Sequence, residues 1–254
     1  MKQVISAIAL NTFRETMRDR LLYSLVAFAV LVIATTLLAG SVSLGQDLRV
    51  VQNFGLTAIL VFQVVITLLA GTQLVWREVE RKTVYTVLSK PITREQFYIG
   101  KFIGLCQTLL VTGLIMGAIL AALVMFKGGA ITLALVLAVL FIILESWLLS
   151  ALGMLFAGFT GSIASSVYTF ALALIGHAST TIWLMTQKAQ GLVKIALQLV
   201  YYVFPNLEKF NLRNDVVFNL QPDAIQIGSA LLYFAAYTVA LLLAGLAVFK
   251  RHEF

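Results

Sequence analysis

The sequence predicts an all-α, polytopic membrane protein with six transmembrane helices, and three observations carry that expectation. Of its 254 residues, 61% are hydrophobic and 11% charged, where a soluble domain carries about 25% charged residues. The mean hydropathy is +0.98. The apolar residues fall in runs long enough to cross a bilayer, and Lys and Arg gather at the ends of those runs. The net charge of +7 therefore reads as the positive-inside bias of a membrane protein and not as a nucleic-acid surface. The single Cys106 lies within an apolar run, so neither an intrachain disulfide nor a cysteine metal cluster is available.

Residues 1–20 form an amphipathic pattern. Ile5, Ile8, Ala9, Phe13 and Met17 fall on one helical face, with Gln3, Asn11, Arg14, Glu15 and Arg18 on the other. A helix lying in the membrane interface fits this pattern, and a cleaved signal peptide fits it poorly. The first span follows at 21–39, with Arg18 and Arg20 at its base. A short polar loop is expected to carry Asp47 and Arg49, and the second span runs over 54–75 to the interface aromatic Trp76.

The stretch 76–102 is the most informative part of the chain. It holds six of the eighteen Lys and Arg residues: Arg77, Arg81, Lys82, Lys90, Arg94 and Lys101. Val84, Val87 and Leu88 share one helical face, while Glu80, Arg81, Lys82 and Thr86 point elsewhere. Pro91 pushes Lys90 out of the helical region and ends this short helix. Thr93 and Gln96 then make a capping box for the next one. Two readings stand: a surface helix that acts as a docking lever, or a basic loop that only sets topology.

The third span runs over 102–126, with Gly100/Gly104 and Gly113/Gly117/Ala121 as small-residue faces for close helix approach. Lys101 is expected to snorkel to the surface. A tight turn at Lys127-Gly-Gly leads to the fourth span, 131–157, and a short turn at 158–162 to the fifth, 163–185. Residues 191–204 are apolar but too short to cross, which suggests a re-entrant or interfacial helix closed by Pro205-Asn206. A polar piece follows, then the sixth span at 227–249. Without repeats or a low-complexity linker, 1–254 reads as one transmembrane domain. With the N-terminus inside, twelve Lys and Arg lie on the inner side and six on the outer, which places both termini inside.

The chain resembles the permease subunit of a type-2 ABC transporter, of the exporter class. The resemblance rests on the six-span layout, the amphipathic N-terminal helix, the E-R-K-T…L-S-K-P-I-T-R…G-K-F run over 80–102, and Y-Y-V-F-P-N-L at 201–207. It implies a cell-membrane protein of a prokaryote, with two permease chains paired as a homodimer or heterodimer and two copies of a cytoplasmic ABC ATPase. The ATPases would dock on Glu80, Arg81, Lys82, Val84, Val87, Leu88 and Pro91, and would bind the ATP and Mg; no cofactor is expected in this chain. In agreement, no G-x-x-x-x-G-K-[ST] phosphate loop occurs in the sequence. Membrane lipids are expected partners, and nucleic acid is not.

Further candidate positions lie inside the spans. Ser162, Ser166, Thr169, Ala173, Gly176 and Thr180 recur at steps of four and three, a seam that suits either the dimer interface or the pathway lining. Gln63 and Thr67, with Gly71 a turn further on, carry the same alternatives. Glu145 would cost about 2.5–3.5 kcal/mol if charged at the centre of a span, so it is either a substrate or proton contact or a hydrogen-bonded packing carboxyl. His177 is expected to lie about two turns from it in depth, too far for a direct pair, and reads as a packed imidazole. An ion-coupled secondary transporter is the alternative class, with thin support from Glu145 and His177 alone. For a membrane enzyme the sequence offers neither a metal-spaced cluster nor a nucleophile with a nearby base.

Overall fold

The computed structural model describes residues 2–41, 46–80 and 93–251. The helices are α1 (Lys2–Met17), α2 (Arg20–Ser41), α3 (Asp47–Glu80), α4 (Arg94–Phe126), α5 (Leu133–Ala157), α6 (Ser162–His177), α7 (Ser179–Lys188), α8 (Gly191–Val203), α9 (Arg213–Val217) and α10 (Ala224–Arg251), with a 3-10 turn at Leu207–Phe210. Among the described residues, α2, α3, α4, α5 and α10 are each long and apolar enough to cross a membrane. The sixth span exists only if α6 and α7 count as one, and these two are bent by 58°. The fifth span expected at 163–185 is therefore broken at Ala178.

The bundle centre is formed by α3, α4 and α5, where Ile59, Ile66, Leu105, Leu109, Met116, Leu120, Leu148 and Leu149 are essentially inaccessible. Burial of side chains this size contributes roughly 1.5–3 kcal/mol each against water, but lipid is as apolar as they are. Close packing must hold the helices instead, and the glycines of α4 permit it. A Cβ on Gly117 would fall 2.6 Å from Val139 Cγ1, and one on Gly113 would fall 2.5 Å from Ile143 Cγ1.

At the end of the bundle that carries the N-terminus, α1 lies against the start of α4. Ala9, Thr12 and Thr16 are its buried residues, while Gln3, Asn11, Arg14, Glu15 and Arg18 are exposed, in accord with the amphipathic pattern. Its seat is the Gly100/Gly104 face, where added Cβ atoms would meet Ile8 and the Ala9 carbonyl. Lys101 does not reach the surface as expected. It is buried, with Nζ 3.7 Å from Glu15 Oε2 and 5.6 Å from the Phe97 ring centroid. The helix α1 covers the path it would have taken. Beside it, Phe97, Tyr98 and Ala157 pack with Phe249 of α10.

At the opposite end, Gly128 closes α4 with φ +78 and Gly129 donates back to the Val124 carbonyl. Asp47 and Arg49 are not in a loop; they open α3. An acidic residue in a first turn suits the helix dipole, and Asp47 also faces Lys127 at 3.5 Å. The polar-looking segment after α8 departs most from expectation. Leu207, Phe210, Leu212 and Val216 are buried in the central cluster, so this segment inserts into the bundle instead of lying over it. The helix α8 follows the re-entrant or interfacial expectation in length and has no buried residue.

Candidate functional site

The capping box at the head of α4 is present in both halves. Gln96 N–H donates to Thr93 Oγ1 at 3.3 Å, and Thr93 N–H donates to Gln96 Oε1 at 3.2 Å. The stretch just before it, with Arg81, Lys82, Val84, Val87, Leu88 and Pro91, lies outside the described residues, as does the side chain of Glu80.

The candidate pathway or interface residues of the second span are interior to this chain. Gln63 is fully buried between α3 and α4 and donates from Nε2 to the Leu109 carbonyl at 2.9 Å. Thr67 bonds back to the Gln63 carbonyl at 2.8 Å. The first of these bonds joins two helices where lipid provides no hydrophobic drive, and the second lies within α3.

The fifth-span seam divides at the bend. Before it, Thr169, Ala173 and Gly176 are buried, with Ser162 and Ser166 partly so, and Ser165 beside the seam is buried as well. Ser166 Oγ is 3.3 Å from the Leu68 carbonyl of α3, and Ser165 Oγ donates to the Gly153 carbonyl of α5 at 2.8 Å. A Cβ on Gly176 would meet the Pro205 carbonyl at 2.7 Å and Leu207 Cγ at 2.6 Å. This half of the seam packs within the chain. Thr180, past the bend, is exposed.

Glu145 and His177, expected apart, meet directly: His177 Nε2 lies 2.7 Å from Glu145 Oε1. The reason is the antiparallel turn between α5 and α6. Glu145 is thirteen residues before Gly158 and its mirror position, thirteen after Gly161, is 174. His177 is then three residues beyond, about 4.5 Å of helix rise, which two long side chains bridge. The other ring nitrogen, Nδ1, lies 4.0 Å from Glu208 Oε2 of the 3-10 turn. Glu208 Oε1 accepts from Asn211 Nδ2 at 2.7 Å, and Arg213 donates to Asn211 Oδ1 and, at 3.0 Å, to Thr57 Oγ1 of α3. The His177 ring beside Glu208 holds that carboxyl below the usual glutamate range.

Glu208, Asn211 and Arg213 were not singled out in the sequence. Their only signal was a Leu-x-x-Phe-x-Leu-x-x-x-Val pattern (Leu207, Phe210, Leu212, Val216) running through the polar residues, which marks one buried side. Beside the cluster a void of about 10 Å³, the size of one water, is bordered by Glu145, His177, Asn211 and Arg213. Among the described residues, no three His, Cys, Asp or Glu side chains are placed to hold a metal ion.

Membrane-length helices joined by interhelical side-chain bonds, with a broken span beside a half-buried polar cluster, define a multi-pass membrane protein. The chain belongs to the ABC-2 family transporter proteins, whose family pattern matches residues 6–254. It is thus an ABC permease, and this membership replaces the ion-coupled alternative. Membrane subunits of this family transport and work with ATPase partners in general. No curated protein matches the sequence.

Proposed function

We propose that this chain is the membrane half of an exporter, driven by a separate cytoplasmic ATPase that docks on residues 80–91. Family membership supports the ATPase dependence. The single observation that carries the coupling route is the continuity of α4. It starts at a reciprocal cap two residues after Pro91 and runs unbroken for 33 residues through the bundle. A push on the stretch before the cap is therefore a push on a rigid rod, and α1, seated on Gly100 and Gly104, moves with it. ATP and Mg belong to the partner, in keeping with the missing phosphate loop.

In this reading two permease chains, identical or not, pair with two ATPases in the cytoplasmic membrane of a prokaryote, with both termini inside by the Lys and Arg count. The buried half of the seam is taken up within the chain, so the exposed face of α6, with Ile163 and Val167, is free for the second permease. Two measurements test this. The ATPase should co-purify with the solubilised permease, and ATP should drive substrate out of the cytoplasmic side in inverted vesicles. Single cysteines at Ser43 and Lys209 should react with an impermeant reagent from outside, and one at Thr83 should not; outside labelling of Thr83 would overturn the topology.

A further inference from the structure

The two strands of chain that leave the bundle for the α7–α8 hairpin, and return from it, run side by side at one place. The outgoing foot is His177 to Ser179, where α6 breaks from α7. The returning foot is Pro205 to Glu208. They touch: Ser179 Oγ lies 2.7 Å from Asn206 Oδ1, and Gly176 leaves room for the Pro205 carbonyl and Leu207. Asn206 N–H donates to Tyr233 of α10 at 2.8 Å. The hairpin itself packs on the bundle sparsely; α8 buries no residue, and its Val203 carbonyl accepts from Tyr237 at 3.2 Å. What happens at the feet therefore decides where the hairpin stands.

His177 sits between the feet with a carboxylate at each ring nitrogen: Glu145 of α5 on Nε2 and Glu208 of the returning foot on Nδ1. A neutral imidazole has one donor and one lone pair, so it can satisfy only one of two carboxylates. The arrangement is complete only when the Glu145–His177 pair carries one additional proton, on the ring or on the Glu145 carboxyl. We propose that Glu145, His177 and Glu208 form a proton-binding site that latches the feet of the α7–α8 hairpin to the bundle. With the proton bound, Nε2 and Glu145 share one proton and Nδ1–H faces the Glu208 carboxylate across 4.0 Å, which ties outgoing foot, returning foot and α5 together. When it leaves to water through the adjoining void, a lone pair faces one carboxylate, and the two feet lose their common tie.

The surrounding charges fit this account. Arg213 of α9 is in Coulombic reach of Glu145 and Glu208, so with a protonated His177 the two positive and two negative groups balance. Lys209 is turned to the Tyr233 ring, 5.0 Å from its centroid. On α3, Asp47 faces Lys127, Arg49 lies over Phe218, and Thr57 offers only a hydroxyl. Lys188 of α7 is at the other end of that helix. The latch stands on these contacts whether or not the ATPase docks as proposed.

The test uses the full-length permease in lipid nanodiscs with Cys106→Ala. Ser179→Cys, buried at the outgoing foot with 4% exposure, reports opening through its reaction with a small methanethiosulfonate. Leu192→Cys, 84% exposed on the hairpin, corrects for titration of the thiol itself. The ratio of the two rates should rise tenfold or more from mildly acidic to alkaline pH. With His177→Gln it should be high throughout. With Glu145→Gln and Glu208→Gln together, a neutral ring meets two amides, and the ratio should be low and flat. A pH-independent ratio in the parent protein overturns the proposal. So does a persisting pH dependence in the double amide, which decides the matter even where His177→Gln does not fold.

Discussion

Gly104 and Ala9 meet backbone to backbone: a Cβ on Gly104 would fall 2.5 Å from the Ala9 carbonyl oxygen. The contact seats the N-terminal helix on the first turns of α4, which follow the stretch proposed above for ATPase docking. Because the obstructing atom is backbone, no rotamer change relieves the clash. Gly104→Val should lift α1 off α4, at a cost of about 1–3 kcal/mol from overpacking. Gly228→Ala is the control, since nothing lies within 4 Å of its added Cβ. Thermal unfolding of the two purified variants checks this; equal midpoints would show that α1 is not held there.

The seam residues allow a similar contrast on α6. Gly176→Leu drives a side chain into the Pro205 carbonyl and Leu207, and Thr169→Leu adds bulk at a site only 1% exposed. Leu174, at 57% exposed, is the off-seam comparison. Leu172 is unsuitable because it packs partly against the central core. The two seam variants should lower the unfolding midpoint of the isolated permease, and Leu174→Ala should leave it nearly unchanged. Since the seam contacts lie within one chain, the loss should appear at protein concentrations where only single chains are present.

What was legible in the sequence was local. Thr93 and Gln96 announce their cap because both partners lie within four residues, and Lys127-Gly-Gly announces its turn because Gly128 needs a positive φ. The amphipathic face of α1 could be read, but not that it covers Lys101, since that depends on a helix a hundred residues away. The break at Ala178 has no proline, and its causes are tertiary: Ser179 against Asn206, and Gly176 against the Pro205 carbonyl. Nothing local marks Arg213, because its partner Thr57 is 156 residues off in sequence.

Glu208 carries a pH signature on stability. Its carboxyl ionises more readily in the folded protein than in the unfolded chain, first because of His177, and Asn211 adds to this. The ionised form therefore stabilises the fold fully above the unfolded glutamate value of about 4.3. That stabilisation is lost as the pH falls through the lower folded value. Glu208→Gln should flatten this acid limb while leaving the alkaline limb to the remaining groups. Unfolding midpoints recorded against pH decide it; parallel acid limbs for parent and variant would remove Glu208 from the account.

The stretch proposed for docking gives the sharpest test of coupling. If Val84, Val87 and Leu88 form the apolar face of a helix seated in a groove of the ATPase, a carboxylate there loses its water without gaining a partner. Burial of this kind costs several kcal/mol, so Val87→Asp or Leu88→Asp should abolish docking. Glu80, Arg81 and Lys82 would lie at the rim, where single charges mostly tune association; Arg81→Ala should weaken binding without removing it. Pro91→Ala acts differently. It restores a backbone donor and a helical φ/ψ option just ahead of the Thr93 cap, so a helix over 84–88 would run on and the push on α4 would lose its fixed joint. ATPase binding should then survive while transport per ATP hydrolysed falls. Pull-down of the ATPase, beside ATP-driven transport in vesicles, separates binding from coupling. If Leu88→Asp leaves both unchanged, residues 80–91 only set topology and the push along α4 has no source.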